Sequence, residues 1–360
     1  MHVFFDPEGR PFLLGAEMRW ELEPNAFLAR LSIVSGKTGS PRTWRSYAYQ
    51  LADWLGFCDR IGVGWRYATE WNLATFRNIL ASESSLQTER PLKRGTINHK
   101  LSVICQFYRF ALKKGWIDAL PFDLDAVRVS YRSVGDLRTN ARMSAGSTAT
   151  SSLRLTEPRE EVQIPLRQEV RRFIKSFRGW RDRLIAETFW LTGMRSAELC
   201  SLPLNALPEN PNAIDKDTVT IKILGKGPKW RTVLFPVRLL RSVDKYIHMR
   251  SRSGGTKAAG TVFVGRTGQP LRTSAINRVF STNCKRTGLH IWPHMLRHAY
   301  AVERLAYLQD IGAPNPLKTV QLELGHASLA TTERYLHVTE RMRSDLIAAH
   351  NSFVDRLLEE

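Results

Sequence analysis

The stretch TTERYLHV, residues 331–338, carries Tyr335 nine residues after His326 of LGHASL. A phenol with an ordinary pKa near 10 is protonated at neutral pH, so it attacks nothing unless neighbours take its proton and stabilise the product. Candidate helpers occur in two earlier fragments. In WPHMLRHAYAVERL, Pro293 suits the first turn of a helix. His294 and Arg297 then lie about 60° apart, on the flank of an apolar stripe of Met295, Ala299, Val302, Leu305 and Ala306. Such a flank lets both side chains reach one ligand while the stripe anchors the helix. In LTGMRSAELCSL, Gly193 breaks a preceding helix, and Arg195 and Glu198 share a face while Leu199 and Leu202 point inward. Taken singly, each fragment has a bland reading. The Arg–Glu pair is a surface ion pair worth a few tenths of a kcal/mol, the histidines are polar flank or structural hydrogen-bonders, and the tyrosine is core. Taken together, guanidiniums that match phosphate geometry, imidazoles that titrate near neutrality and a phenol are the groups a phosphoryl transfer needs.

The elements that must position these residues can be read from hydrophobic period. In TINHKLSVICQFYRFALKKGW, Ile97, Leu101, Ile104, Phe107, Tyr108 and Ala111 recur at three and four, and Lys113, Lys114 and Gly115 close the helix. RTWRSYAYQLADWLGFCDR places Trp44, Tyr47, Leu51, Trp54 and Leu55 on one stripe with Arg42, Arg45 and Arg60 off it. These segments predict a small helical bundle over residues 41–135. TNARMSAGSTATSS is rich in Ser and Thr and holds no large apolar residue except Met143, so residues 136–160 read as an interdomain linker. Beyond it RQEVRRFIKSFRGWRDRLIAETFWLTGM is helical. DTVTIKILGKGPKWRTVLFP alternates through Val219, Ile221 and Ile223, turns at GKGPK and resumes at Val233, predicting a β-hairpin within a helical domain.

The chain has 360 residues, which suggests two domains. Its 53 Lys and Arg against 34 Asp and Glu give a formal charge of +19, which favours a polyanionic partner. No apolar run approaches the roughly 18 residues of a spanning helix, and the N-terminus lacks the pattern of a secretory signal. The partner expected is therefore nucleic acid and not a membrane. Cys58, Cys105, Cys200 and Cys284 lie far apart with no CxxC pair, so buried thiols in a reducing compartment are expected, not a zinc site or disulfides. The absence of a dense Asp/Glu cluster argues against a two-metal nuclease. GKGPKW lacks the rest of a phosphate-binding P-loop.

In order and local context the fragments resemble the tyrosine recombinase (phage integrase) family. TGMRSAEL is similar to its first arginine box, making Arg195 a phosphate clamp supported by Glu198. GKGPKWR resembles its lysine hairpin, with Lys226 as the catalytic lysine. HMLRH resembles the second box, giving His294 and Arg297, and LGHASLATTERYLHV the last, giving His326 and the nucleophile Tyr335. The likeness is strong over about 190–340 and one of pattern over 41–130. The Arg195–Lys226 and Arg297–His326 intervals are longer than usual, the latter through QDIGAPNPLKTV, read as a loop insertion.

The resemblance implies a mainly α fold with a small β-sheet, built as a helical core DNA-binding domain and an α+β catalytic domain at 161–340 that close as a C-shaped clamp on duplex DNA. It leaves residues 1–40 as an N-terminal arm and 341–360 as a C-terminal helix exchanged between protomers. It further implies a site-specific recombinase that cuts and rejoins DNA through a 3′-phosphotyrosyl intermediate and a Holliday junction, as a tetramer on two sites. His294 would accept the Tyr335 proton or stabilise the phosphate, Lys226 would protonate the leaving oxygen, and His326 would donate to the phosphate. Bond energy is conserved, so no cofactor, ATP or metal is expected. The setting implied is the cytoplasm of a bacterium, or a phage or other mobile element. Two alternatives stand beside this reading: a type IB topoisomerase-like enzyme that reseals the same strand, and a noncatalytic DNA-binding architectural protein.

Overall fold

The computed structural model describes residues 1–34, 40–82, 91–123, 153–157, 163–225, 230–252, 260–326, 328–336 and 338–339. They form two compact units, 1–160 and 161–360, mainly helical with small antiparallel hairpins. Lys226 and residues 341–360, both singled out by the sequence, lie outside the described residues.

The first unit is built on α2 (Pro41–Arg60), α3 (Glu70–Ser82) and α4 (Arg94–Lys113). Pro41 opens α2, where the missing N–H costs nothing, and the stripe running through Leu51, Trp54, Leu55 and Cys58 is buried. Trp44 and Tyr47, expected on the same stripe, are only half-buried at its N-terminal end. Trp54 anchors the bundle: its ring meets Phe57, Phe76 and Tyr108. Its indole N–H donates to the Tyr108 hydroxyl at 3.2 Å, and that hydroxyl donates to the Trp65 carbonyl at 2.7 Å. A polar chain of this kind satisfies the groups that two large aromatics bring into the core.

Residues 1–34 join the same core. β1 (His2–Phe5) pairs antiparallel with β2 (Pro11–Leu14), a hairpin not anticipated from the sequence, and α1 (Leu22–Ala29) follows. Asn25 on α1 accepts from Leu13 N–H at 2.6 Å and donates to its carbonyl at 2.8 Å, clamping helix to strand. Residues 153–157, within the stretch read as linker, run along α4. Asn98 pairs with both backbone groups of Leu155, and Leu153 is buried with the first unit's core.

The second unit comprises α5 (Arg167–Lys175), α6 (Trp180–Thr192), α7 (Ser196–Cys200), β3 (Thr218–Leu224), β4 (Trp230–Pro236), α8 (Val237–Arg252), α9 (Thr273–Thr287), α10 (Pro293–Asp310), α11 (Pro316–Leu324) and the short α12 (Ala330–Glu333). The alternation read from the sequence is that of β3, whose register pairs Ile221 with Val233 and Leu224 with Trp230. Ile221, Ile223, Val233 and Phe235 belong to the unit's main core, where β4 packs against α6 and α8. A second cluster, of Tyr300, Val302, Leu305, Val320, Leu324 and Tyr335, joins α10 and α11 to the segment that follows.

QDIGAPNPLKTV is not all loop: Asn315 takes a left-handed conformation (φ +50°) and Pro316 starts α11, which consumes the remainder. The anchoring stripe of α10 also runs differently. Met295 and Ala306 are half-buried, while Leu296, Ala299, Tyr300, Ala301 and Leu305 are covered. α10 packs against both α6 and α11, so it buries a wider arc than one stripe. All four cysteines are free thiols, Cys58, Cys105 and Cys284 buried and Cys200 half-buried. Burial pushes Cys58 up to about 12 and Cys200 to about 11. Among the described residues no helix is long and apolar enough to cross a membrane.

Candidate active site

The site starts where α6 stops. Gly193 ends that helix at φ +61°, and a Cβ there would lie 2.5 Å from the Tyr300 ring and 3.0 Å from Leu324. Both the backbone conformation and the space therefore require glycine. The turn delivers Arg195 to the N-terminal cap of α7. Glu198 reaches back so that its carboxylate accepts from the Arg195 backbone N–H at 2.7 Å and from its guanidinium at 2.9 Å. The pair read from the sequence as three apart on a helix is formed, but it is not at the surface: Glu198 is 3% exposed.

The burial is explained by a second arginine, Arg231 of β4, which the sequence reading passed over. It donates to both Glu198 oxygens, at 3.1 and 2.6 Å. Burial alone would raise the Glu198 carboxyl, but the hydrogen bonds and charge of Arg231, with those of Arg195, outweigh it and hold the group below the usual carboxylate range. A signal for Arg231 exists in the strand period. It alternates with Val233 and Phe235 on the buried face, and a charge on a buried face calls for a buried partner.

The C-terminal end of α11 collects three guanidiniums. Arg231 donates to the Glu323 carbonyl, Arg297 to the Leu324 carbonyl at 2.5 Å, and Arg195 to the Gly325 carbonyl at 2.9 Å. Consecutive carbonyls at a helix end have no intrahelical partner and carry the negative end of the helix dipole, so cations are favoured there. Gly325, at φ +63°, lets the chain turn where a Cβ would come within 2.8 Å of Arg231. A second clamp holds Arg304 and the Tyr300 hydroxyl on the Glu323 carboxylate.

Arg297, expected on an exposed flank, is 1% exposed. Its guanidinium bridges the Gly193 and Leu324 carbonyls, both at 2.5 Å, tying the end of α6 to the end of α11. Burial, then the charges of Arg195 and Arg231, lower it to about 9, which leaves it cationic at neutral pH. Two of its five donors are so used.

Tyr335 is 1% exposed. Its hydroxyl meets the Nδ1 of His298 at 2.6 Å, and the ring stacks on that of His326 with centroids 6.2 Å apart. His326 is fixed through Nδ1 by the Thr332 hydroxyl at 2.9 Å. Burial raises the Tyr335 phenol, opposed by Arg297, Arg334 and Arg195. His294, expected to accept the Tyr335 proton or to stabilise the phosphate, is exposed and packs its ring edge-on against His298, centroids 4.3 Å apart. Partial desolvation and the charges of Arg297, Arg195 and Arg334 lower His294. Burial, then the charges of Arg297, Arg195, His294 and Arg231, bring His326 to about 4. Arg195, Glu198, His294, Arg297, His326 and Tyr335 thus come together at the ends of α6, α10 and α11, with His298, Arg231 and Thr332 as members the sequence reading missed. Among the described residues no group of His, Cys, Asp and Glu could hold a metal ion. A phosphate entering between the guanidiniums would meet two planar cations, imidazoles and a hydroxyl, the set for transfer of a phosphoryl group to oxygen.

Comparison with known proteins agrees. The phage integrase family model matches residues 165–342, and the phage integrase N-terminal SAM-like domain model matches residues 25–115. Among curated relatives, tyrosine recombinase XerC of Chlamydia caviae is 27% identical over 335 residues, covering 89% of this chain and 96% of the relative. The XerC of Xylella fastidiosa strain M23 is 29% identical, covering 81% and 86%. Among solved structures, the XerH site-specific recombinase bound to palindromic difH substrate superposes with a TM-score of 0.62 at 18% identity, covering 91% of this chain and 83% of that one. A lambda integrase dimer bound to a COC′ core site gives 0.54 at 17% identity, covering 86% and 94%. With both of its regions matched in order, the chain belongs to the phage integrase family, the tyrosine recombinases.

Proposed function

We propose that this chain is a site-specific DNA recombinase in which Tyr335 attacks the scissile phosphodiester of duplex DNA. The observation that carries the reading is the Tyr335 hydroxyl set beside an imidazole at 2.6 Å, in the field of Arg297 and Arg195. In the step proposed, the bond from Tyr335 Oη to phosphorus forms and the bond to the 5′-oxygen breaks, leaving a 3′-phosphotyrosyl link and a free 5′-hydroxyl. Arg195 and Arg297 neutralise the nonbridging oxygens, most strongly as charge builds in the transition state. His326 donates to the same phosphate, His294 borders it from the exposed side, and Lys226 protonates the departing oxygen. Attack by another strand's 5′-hydroxyl runs the step backwards, so ATP is not consumed. Arg297 and Tyr335 are closed from solvent in the free chain, so entry of DNA requires the segment carrying Tyr335 to shift from α10.

The formal charge of +19 supports DNA as partner, as do the solved recombinase relatives with DNA bound. Exchange between two sites requires four active sites, hence a tetramer, with residues 341–360 reaching a neighbouring protomer. The test is a two-site assay in EDTA. Linear duplexes of different length carrying the cognate site should yield exchanged products, and Tyr335→Phe none. Relaxation of supercoils without exchange would indicate a strand-resealing enzyme instead, and binding without either reaction a noncatalytic DNA-binding protein.

A further inference from the structure

We propose that the exposed face of α5 is a second contact for the substrate duplex, binding backbone phosphates that flank the scissile one. The inference rests on DNA being the substrate and deepens that reading by naming a surface for it outside the reaction centre. α5 buries Val170, Phe173 and Ile174 and turns Gln168, Arg171, Arg172 and Lys175 to solvent. These four stand at i, i+3, i+4 and i+7, one stripe of a helix. With Ser176 they line an open groove of about 500 Å³.

The ordinary duties of basic residues on a helix are met here by other groups. Cations in a last turn commonly cap the terminal carbonyls. At this helix end the carbonyls are already taken. Arg183 of α6 donates to those of Lys175 at 2.9 Å and Phe177 at 3.4 Å, and Arg286 of α9 donates to that of Ser176. Surface ion pairing is the other duty. Glu169, the one acid on α5, is turned to the N-terminal cap, where its carboxylate accepts from Leu166 N–H at 2.8 Å. Glu303 of α10 lies 4.0 Å from Arg167 and feels Arg171 at longer range. Among the described residues Arg171, Arg172 and Lys175 form no ion pair.

The position of the stripe fits a polyanion that also occupies the reaction centre. Ile164, just before α5, packs against the cluster that contains Tyr335. The chain from there to Lys175 is a short extended piece and then helix, at most about 25 Å in all. One strand of DNA rises about 3.4 Å per nucleotide, so a backbone held at Arg195 and Arg297 can reach the stripe within about seven nucleotides. Arg171 and Lys175 are one helical turn apart, about 6 Å along the axis, close to the rise of two nucleotides. They therefore meet different phosphates. Two of the three cations are guanidiniums, whose planar donors match phosphate oxygens.

The experiment compares the wild-type chain with the triple variant Arg171→Gln, Arg172→Gln, Lys175→Gln, in which glutamine keeps the helix propensity. Equilibrium binding of the cognate duplex is measured across a salt series. Each phosphate contact contributes about 0.9 to the slope of log affinity against log salt, so the variant's slope should be shallower by about 2 to 3. Its affinity should be about a hundredfold lower at about 0.15 M salt and converge on wild type towards about 1 M. Adduct formation at saturating duplex should stay within about threefold of wild type, as expected when binding is lost equally from ground and transition states. Methylphosphonates then replace single phosphates of the duplex. At about two or three positions within about seven nucleotides of the scissile one, they should weaken wild type and not the variant. A control triple variant, Lys216→Gln, Lys245→Gln, Arg266→Gln, lowers the net charge equally at exposed positions of the same unit. An unchanged slope in the α5 variant overturns the proposal, and if assembly on two sites is lost with it, the stripe serves an acidic protein surface instead. An equal fall in the control overturns it too, reducing the effect to net charge. Lost adduct formation with binding intact would also overturn it, by placing the stripe in the reaction centre. A wild-type chain that binds no duplex at any salt sinks the reading of DNA as substrate, a different result from tight binding that ignores α5.

Discussion

Replacing Arg297 by lysine is expected to slow covalent-adduct formation by about 10²–10³, the usual loss for one donor set to a developing oxyanion. Lysine keeps the charge and loses the plane. A guanidinium can rest on the Gly193 and Leu324 carbonyls, as Arg297 does at 2.5 Å each, and still direct donors at a phosphate. A single ammonium cannot span both carbonyls and also serve a ligand. Binding of duplex DNA should fall by less than about tenfold, since affinity is spread over many phosphate contacts. The measurement is paired: single-turnover cleavage of a nicked duplex and equilibrium binding at the same salt, with a circular dichroism melt to exclude unfolding. Cleavage within tenfold of wild type, in a folded variant, would show that Arg297 serves only to join α6 to α11.

Glu198→Ala carries the largest expected loss of stability. The carboxylate sits between Arg231, whose side chain is 7% exposed, and Arg195, at 30%. Its removal leaves a buried guanidinium without its counter-ion, a change that typically costs about 3–5 kcal/mol. The lower figure applies, because Arg231 keeps the Glu323 carbonyl and Arg195 remains partly solvated. For a unit of this size, about 3 kcal/mol lowers the melting temperature by about 6–12 °C. The pH dependence has a definite sign. The folded pKa of Glu198 is depressed, so its contribution is present above the ordinary carboxylate pKa and is lost as pH falls through the depressed one. Scanning calorimetry of wild type and variant should therefore show a gap that is full at neutral pH and narrows in acid. A gap that widens in acid would contradict the assignment.

What the sequence disclosed, and what it withheld, follows from how each residue is held. Ile221, Ile223 and Val233 alternate because one face of a hairpin is covered, and that period is written in the chain. Gly193 marks a helix end because its φ of +61° leaves few other residues possible. The spacing of Arg195 and Glu198 reports a local turn, and local turns are legible. Arg297 is different. Helical angles alone send a charged side chain to the flank, yet the structure covers it with main-chain carbonyls of two helix ends, and carbonyls have no sequence signature. The partnership of Tyr335 with His298 instead of His294 is likewise a matter of packing. The two histidines are four apart, about 40° on the helix, and only the approach of the segment after α11 decides which one the phenol meets. The hairpin of β1 and β2 was missed because four-residue strands are too short for alternation to stand out. α11 was mistaken for loop because Pro316 reads equally as a breaker and as a first helical residue.

The central claim is that Tyr335 becomes covalently joined to DNA. It is tested by incubating the chain with a nicked duplex of the cognate site in EDTA, trapping the product on a denaturing gel and sequencing the peptide that retains nucleotide. The account predicts a protein–DNA band without added metal or ATP, absent in Tyr335→Phe, whose modified peptide contains TTERYLHV with a 3′-phosphate ester on Tyr335. A band that persists in Tyr335→Phe, or an adduct mapped to any other residue, would contradict it.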